Sequence, residues 1–209
     1  MNTVLFVSPL PGAGKTTVII NLGTALQQTG AKILWVNWKK DIIFNNWLML
    51  PAPTPGTSII YTTHLGPDAL VGPVLPPHDF LADYHYILIE ANYIDLAQLS
   101  TLLKIDMVCC CFQTIQNSPN ELTTLQKNLT ADYKNVDLFI PCQTPPGEWE
   151  LTSSVLMNLS EHLGWEKIAD PLPYCEAIHD LPSLHASLWD LPSQYRNRQE
   201  AFRSLLQHI

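Results

Sequence analysis

Five short, uninterrupted apolar runs punctuate the chain at Thr3–Ser8, Lys32–Asn37, Tyr86–Glu90, Asp106–Phe112 and Val136–Ile140. Because they do not alternate with polar residues, they predict strands covered on both faces. Helical periodicity fills the intervals. From Lys15 to Thr29, the residues Val18, Leu22, Ala25, Leu26 and Thr29 fall on one face, and Gly30 supplies a stop. Asp95–Lys104, Pro119–Leu129, Leu151–Leu163 and Gln194–His208 read the same way. Strands alternating with helices predict an α/β fold: a three-layer, mainly parallel sheet with helices on both faces. Leu50–Pro77 breaks the rhythm with seven prolines (Pro51, Pro53, Pro55, Pro67, Pro73, Pro76, Pro77) and predicts irregular structure over the sheet's edge. No repeat and no boundary is visible, so residues 1–209 are expected to form a single domain.

Composition narrows the classes. The 46% apolar and 14% charged residues describe a chain with a large buried core rather than a disordered one. A net charge of −8 argues against a general nucleic-acid binder. All three arginines (Arg196, Arg198 and Arg203) lie near the end of the sequence, leaving earlier segments with lysine alone. Cys109, Cys110 and Cys111 sit inside an apolar run, Cys142 and Cys175 stand apart, and no Cys-x-x-Cys pair suggests zinc. Reduced thiols, no signal peptide and no membrane span lead to the expectation of a cytoplasmic protein.

The clearest chemical signal follows the first strand. Pro9-Leu10-Pro11-Gly12-Ala13-Gly14-Lys15-Thr16-Thr17 joins a predicted strand to a predicted helix, the setting of a phosphate-binding P-loop. Gly12 and Gly14 let the backbone approach phosphate oxygens, and Ala13 and Thr17 complete the cradle. The helix start directs its positive end at the same anion. Lys15 is placed to reach the β- and γ-phosphates of a nucleoside triphosphate, and the Thr16 hydroxyl to ligate Mg²⁺. Pro9 stands where the general motif begins with glycine.

Taken with its surroundings, this segment resembles the ParA/MinD group of deviant Walker-box ATPases over nearly the whole chain. SPLPGAGKTTVIINLGTAL (Ser8–Leu26) is similar to the group's opening loop and helix, and AKILWVNWKK to its second strand. DYHYILIEAN resembles the Walker B strand, DMVCCCFQTIQNSPNELTTLQ the strand and helix after it, and DPLPYCEAI the loop that leans on the base, which brings in Pro173. The layout is that of small plasmid-partition ATPases. The resemblance implies ATP and Mg²⁺ as cofactors, an ATP-dependent homodimer, and a small adaptor or DNA-binding partner. It also implies a role in positioning or segregating DNA or another large cargo.

The departures fall on the chemistry. Leu10 stands where the group has its extra lysine, Asn37 and Lys39 where it has two aspartates, and Glu90 where it has the Walker B aspartate. Catalytic positions are thus Lys15, Asn37, Lys39 and Glu90, with Thr16 and Glu90 toward the metal, the latter through water. Asn37 can orient a water but cannot take its proton, so hydrolysis should be slow while binding persists. Lys39 and Lys40 could replace the missing lysine or form a solvated loop pair. Two further expectations are weaker. Trp35, Trp38 and Trp47 form either a partner surface or, more commonly, buried packing. Phe202, Leu205, Leu206 and Ile209 lie on one helical face, with Arg196, Arg203 and Gln199 near the other; this gives core packing, weak non-specific DNA contact through Arg196, Arg198 and Arg203, or a membrane-seeking helix. A pseudo-ATPase scaffold is the competing function. A small-molecule kinase or ligase is disfavoured by the absence of arginines before Arg196.

Overall fold

The computed structural model describes residues 1–38, 42–52, 56–72, 74–116, 119–132 and 135–209. Its strands are β1 (Asn2–Val7), β2 (Ile33–Asn37), β3 (Ile59–Thr62), β4 (Asp68–Val71), β5 (Tyr86–Glu90), β6 (Met107–Gln113) and β7 (Leu138–Cys142). The helices are α1 (Lys15–Gln28), α2 (Ile42–Trp47), α3 (His78–Leu81), α4 (Leu96–Leu102), α5 (Pro119–Asp132), α6 (Trp149–Leu163), α7 (Glu176–Leu184) and α8 (Arg196–Leu206). One sheet runs in the order β3-β4-β2-β5-β1-β6-β7, parallel throughout except for β3, which pairs antiparallel with β4.

Strand alternation sorts the apolar runs into two cores. Val4, Phe6, Trp35, Cys109, Cys111 and Ile140 face one side and pack with α1, α2, α7 and α8. Leu5, Val7, Val36, Cys110 and Phe139 face the other and pack with α3, α4, α5 and α6. The three layers expected from the alternating pattern are therefore present. Burial pushes the Cys109 and Cys110 thiols well up.

The proline-rich segment is corrected. It carries β3 and β4, which extend the sheet beyond β2 in register Leu34↔Asp68 to Val36↔Leu70. Both are four-residue strands, and β3 keeps partial exposure along its length as the edge. That mixture of short length and half-burial erases the continuous apolar signal on which the inner strands were read. A second correction concerns α1. It is buried almost all round from Val18 to Leu26, since α8 and the turn at Leu188–Asp190 cover its outer face. Thr29, expected on the buried face, is instead the exposed cap residue whose hydroxyl donates to the Leu26 carbonyl at 2.6 Å.

Trp35 and Trp47 are fully buried, their indole N–H groups donating to the carbonyls of Ile19 (3.1 Å) and Ala186 (2.8 Å). Trp38 is partly buried against the second core. Packing thus claims these rings rather than a partner surface. On α8, Phe202 and Leu205 are buried and Leu206 and Ile209 pack against the same core. Its apolar face is spent inward. Among the described residues no helix is long and apolar enough to cross a membrane.

Candidate nucleotide and metal site

Three strand ends converge at the carboxyl edge of the sheet, where open α/β sheets bind ligands. β5 lies between β1 and β2, and its last residue, Glu90, sits opposite both Phe6 and Asn37. The chain leaving β1 turns through Gly12 (φ 76°) and Gly14 (φ 89°) and enters α1 at Lys15. Both glycines occupy the left-handed region, which L side chains enter only at a cost. A methyl group at Gly14 would also be crowded, since an added Cβ would lie 3.1 Å from Cβ of Cys142. The loop conformation and the two-glycine spacing therefore require each other.

Lys15 is 5% exposed, and its ammonium donates to the Ser8 hydroxyl at 2.7 Å; that hydroxyl in turn donates to the Leu10 carbonyl at 2.7 Å. A desolvated cation so placed at a helix N-terminus favours an anion strongly. Beside it, the Thr16 hydroxyl meets both carboxylate oxygens of Glu90 at 2.9 Å, and Glu90 is 1% exposed. Asn37 is buried at the end of β2, its amide donating to Oδ1 of Asn45 on α2 at 3.4 Å. Gly12, Ala13, Gly14, Lys15, Thr16, Thr17 and Glu90 line a cavity of about 150 Å³, walled on one side by Ile43 and Trp47 of α2.

A second cavity, of about 180 Å³, adjoins the first. It is mostly apolar, lined by Val18, Leu172, Pro173, Ile178 and Phe202, and the two share Gly14, Thr17, Gln143 and Pro182. Pro173 is held by a bridge to Thr144, whose backbone accepts from Tyr174 at 2.8 Å. An apolar slot beside a phosphate cradle is suited to a flat heterocyclic base attached to a polyphosphate.

The expected residues Gly12, Ala13, Gly14, Lys15, Thr16, Thr17 and Glu90 thus meet around one cavity, with Pro173 in the adjoining one. Asn37 ends the strand beside Glu90. Lys39, Lys40 and Asp41 lie outside the described residues. Sequence reading missed Ser8, which holds Lys15, and two glutamines. Gln113 and Gln143 both donate their amides to the Gly12 carbonyl, at 2.9 and 2.8 Å. Gln143, itself at φ 54°, is therefore tied to the loop from the far side. Only the position of Gln143 directly after an apolar strand hinted at this. At the chain's end, Arg196 and Arg203 both pair with Glu200, at 3.6 and 2.7 Å, and Arg203 also lies 5.3 Å over the Trp189 ring.

The donor set fits Mg²⁺ delivered with a nucleotide. Thr16 and Glu90 supply hard oxygens, while among the described residues no group of three His, Cys, Asp or Glu side chains could hold a metal without phosphate oxygens.

No protein-family model matches the sequence, and no curated protein matches it. Solved structures do match. The ATP complex of a Cyanothece McdA variant is 15% identical, with 100% of this chain and 96% of that one covered at a TM-score of 0.78. In the MinC:MinD cell division protein complex of Aquifex aeolicus, the match is 16% identical over 99% and 95%, with a TM-score of 0.76. Cobyrinic acid a,c-diamide synthase of Mycobacterium smegmatis, with bound ATP analogue and magnesium, is 14% identical over 99% and 93%, with a TM-score of 0.69. The chain has the fold of the ParA/MinD-type P-loop ATPases. That same fold serves a cell division protein and a synthase, so activity has to be argued from the site.

Proposed function

We propose that this single-domain chain is a cytoplasmic ATP-binding switch of the ParA type, dimerising with ATP and helping to position or segregate DNA or another large cargo. The observation that carries the reading is that the two cavities adjoin, sharing Gly14, Thr17, Gln143 and Pro182. A cradle with a desolvated lysine, a glycine turn and a hydroxyl–carboxylate pair lies beside an apolar slot, in a fold shared with an ATP-bound McdA. In this reading Lys15 neutralises the β- and γ-phosphates, and the amides around Gly12–Thr17 cradle them. Pro173, Leu172 and Ile178 sandwich the base. Mg²⁺ supplies charge neutralisation between the phosphates when bound, held by Thr16 and Glu90.

Asn37 is the residue nearest the role of orienting the attacking water. It has no basic oxygen to take the proton, so turnover is slow. Binding rests on groups that are all in place. A partner protein or adaptor is part of the same proposal. DNA contact through Arg196, Arg198 and Arg203 is its weakest element, because Glu200 already offsets two of those charges.

Calorimetry with ATP and Mg²⁺, on wild type and Lys15→Ala, tests the site. Removing a buried, charged hydrogen-bond donor should weaken ATP about ten- to hundredfold. Light scattering with and without ATP tests the switch: a shift from monomer toward dimer is expected, and a strict monomer in all conditions overturns it.

A further inference from the structure

Gln143 stands where the two cavities meet. It follows β7 directly, is exposed, and lines both the phosphate cavity and the apolar slot. Of the residues common to the two cavities, only Thr17 and Gln143 carry a hydrogen-bonding side chain, and Thr17 belongs to the phosphate loop. In a nucleotide, the group between phosphates and base is the sugar. We propose that Gln143 is a sugar-recognising residue, its Oε1 accepting from a ribose hydroxyl, so that the site selects ribonucleotides over deoxyribonucleotides. This rests on the ATP-site reading above and adds a specificity determinant to it.

Three observations support it. The first is the division of the amide into a donor end and an acceptor end. Gln143 commits its Nε2 to the Gly12 carbonyl at 2.8 Å, which fixes the side chain and assigns its two ends. Among the described residues no donor meets Oε1, so a held acceptor is left at the boundary of the cavities. Phosphate oxygens only accept at neutral pH, whereas a ribose hydroxyl can donate to it. The second is duplication. Gln113 also donates to the Gly12 carbonyl, at 2.9 Å, yet lines neither cavity. Anchoring the loop therefore does not account for a second glutamine set in the cavity wall. The third is the backbone. Cys142 faces the core on the α1 side, and regular alternation would send its successor to the opposite face. The left-handed conformation of Gln143, φ 54°, instead brings it into the same slot wall as Cys142. Such a conformation is costly for a residue other than glycine and is kept where the surroundings or the function demand it.

The test compares sugars. Calorimetry with Mg²⁺ measures ADP, 2′-deoxy-ADP and 3′-deoxy-ADP, diphosphates being chosen so that hydrolysis does not intervene. Wild type should bind at least one deoxy analogue about three- to tenfold more weakly than ADP, the worth of one hydrogen bond between neutral groups. Gln143→Met keeps the chain length without the acceptor and should bring the three nucleotides to about equal affinity. Gln143→Gly should do the same and relieves the left-handed backbone, so that misfolding of one variant does not decide the result. Gln113→Met, which also loses a bond to Gly12, should keep the wild-type preference whatever its overall affinity. Wild type that binds all three nucleotides equally overturns the proposal. So does a preference that survives in both Gln143 variants, since a residue that only holds the loop gives that result. Inosine diphosphate, which lacks the exocyclic amino group, guards against a base contact: loss of an ADP-over-IDP preference in the Gln143 variants, with the sugar preference intact, also overturns it. Failure of wild type to bind ADP at all overturns instead the nucleotide-site reading beneath it.

Discussion

Gly12 and Gly14 make the same backbone demand and differ in the space around them, which allows the strain and packing contributions to be separated. At Gly12, with φ 76°, an added methyl group meets nothing within 4 Å. Gly12→Ala should therefore cost only the left-handed backbone penalty, about 1–2 kcal/mol. At Gly14 the same penalty applies, and the new methyl group lies 3.1 Å from Cβ of Cys142. That atom belongs to β7, whose register against β6 pairs Cys142 with Gln113, so no rotamer change can withdraw it. Overpacking of this kind adds about 1–3 kcal/mol, for a total of about 2–5 kcal/mol in Gly14→Ala. Urea unfolding with matched m-values measures the difference. In a chain of this size each kcal/mol corresponds to about 2–4 °C in Tm. A Gly14→Ala variant no less stable than Gly12→Ala would refute both the tight loop–strand contact and the reason given for glycine at position 14.

Other expectations concern chemistry and surface. Wild-type ATP hydrolysis should be slow, and Asn37→Asp together with Lys39→Asp should raise it, read as phosphate release with Lys15→Ala as the blank. A wild-type rate equal to that blank would favour the scaffold alternative. Cys175 is the partly exposed cysteine and lines the base slot, whereas the other four are buried. A thiol reagent should modify one cysteine of five in the folded protein, and ATP should slow that reaction; several fast thiols, or no protection, would contradict the slot's position. Any DNA affinity should be weak, independent of sequence and lost steeply with salt. Tight binding at high salt would contradict the charge argument.

The inner strands were legible because burial on two faces writes an unbroken apolar run, as in Val108–Phe112 or Ile87–Ile89. β3 and β4 were not, because an edge strand such as Ile59–Thr62 needs only partial burial, and prolines on either side mask four residues of pairing. α7 was overlooked for a related reason: it is nine residues long and contains Pro182. At the site, the loop was readable from local spacing, and Glu90 from the resemblance of its strand to the Walker B segment. Ser8, Gln113 and Gln143 were not, since the Gln amides reach Gly12 across more than a hundred residues of sequence. The clustering of tryptophans near β2 reflected buried packing, and only tertiary structure distinguishes that from a surface.

The apolar slot is built from residues far apart in the sequence, Gly14 to Val18 and Leu172 to Phe202, and this constrains the order of events during folding. The phosphate cavity takes Glu90, Gln143 and Pro182 as well as the loop, and its apolar neighbour needs Leu172 to Phe202. Asn21 ties α1 to the late segment: its side chain accepts from the Leu188 amide at 2.6 Å and its carbonyl accepts from the Trp189 indole at 2.8 Å. Such a seam closes a loop of well over a hundred residues, so its entropy must be met by contacts that form late. Nucleotide that binds both cavities then stabilises only the chain that has closed this seam, and the ligand acts as a late selector of complete molecules.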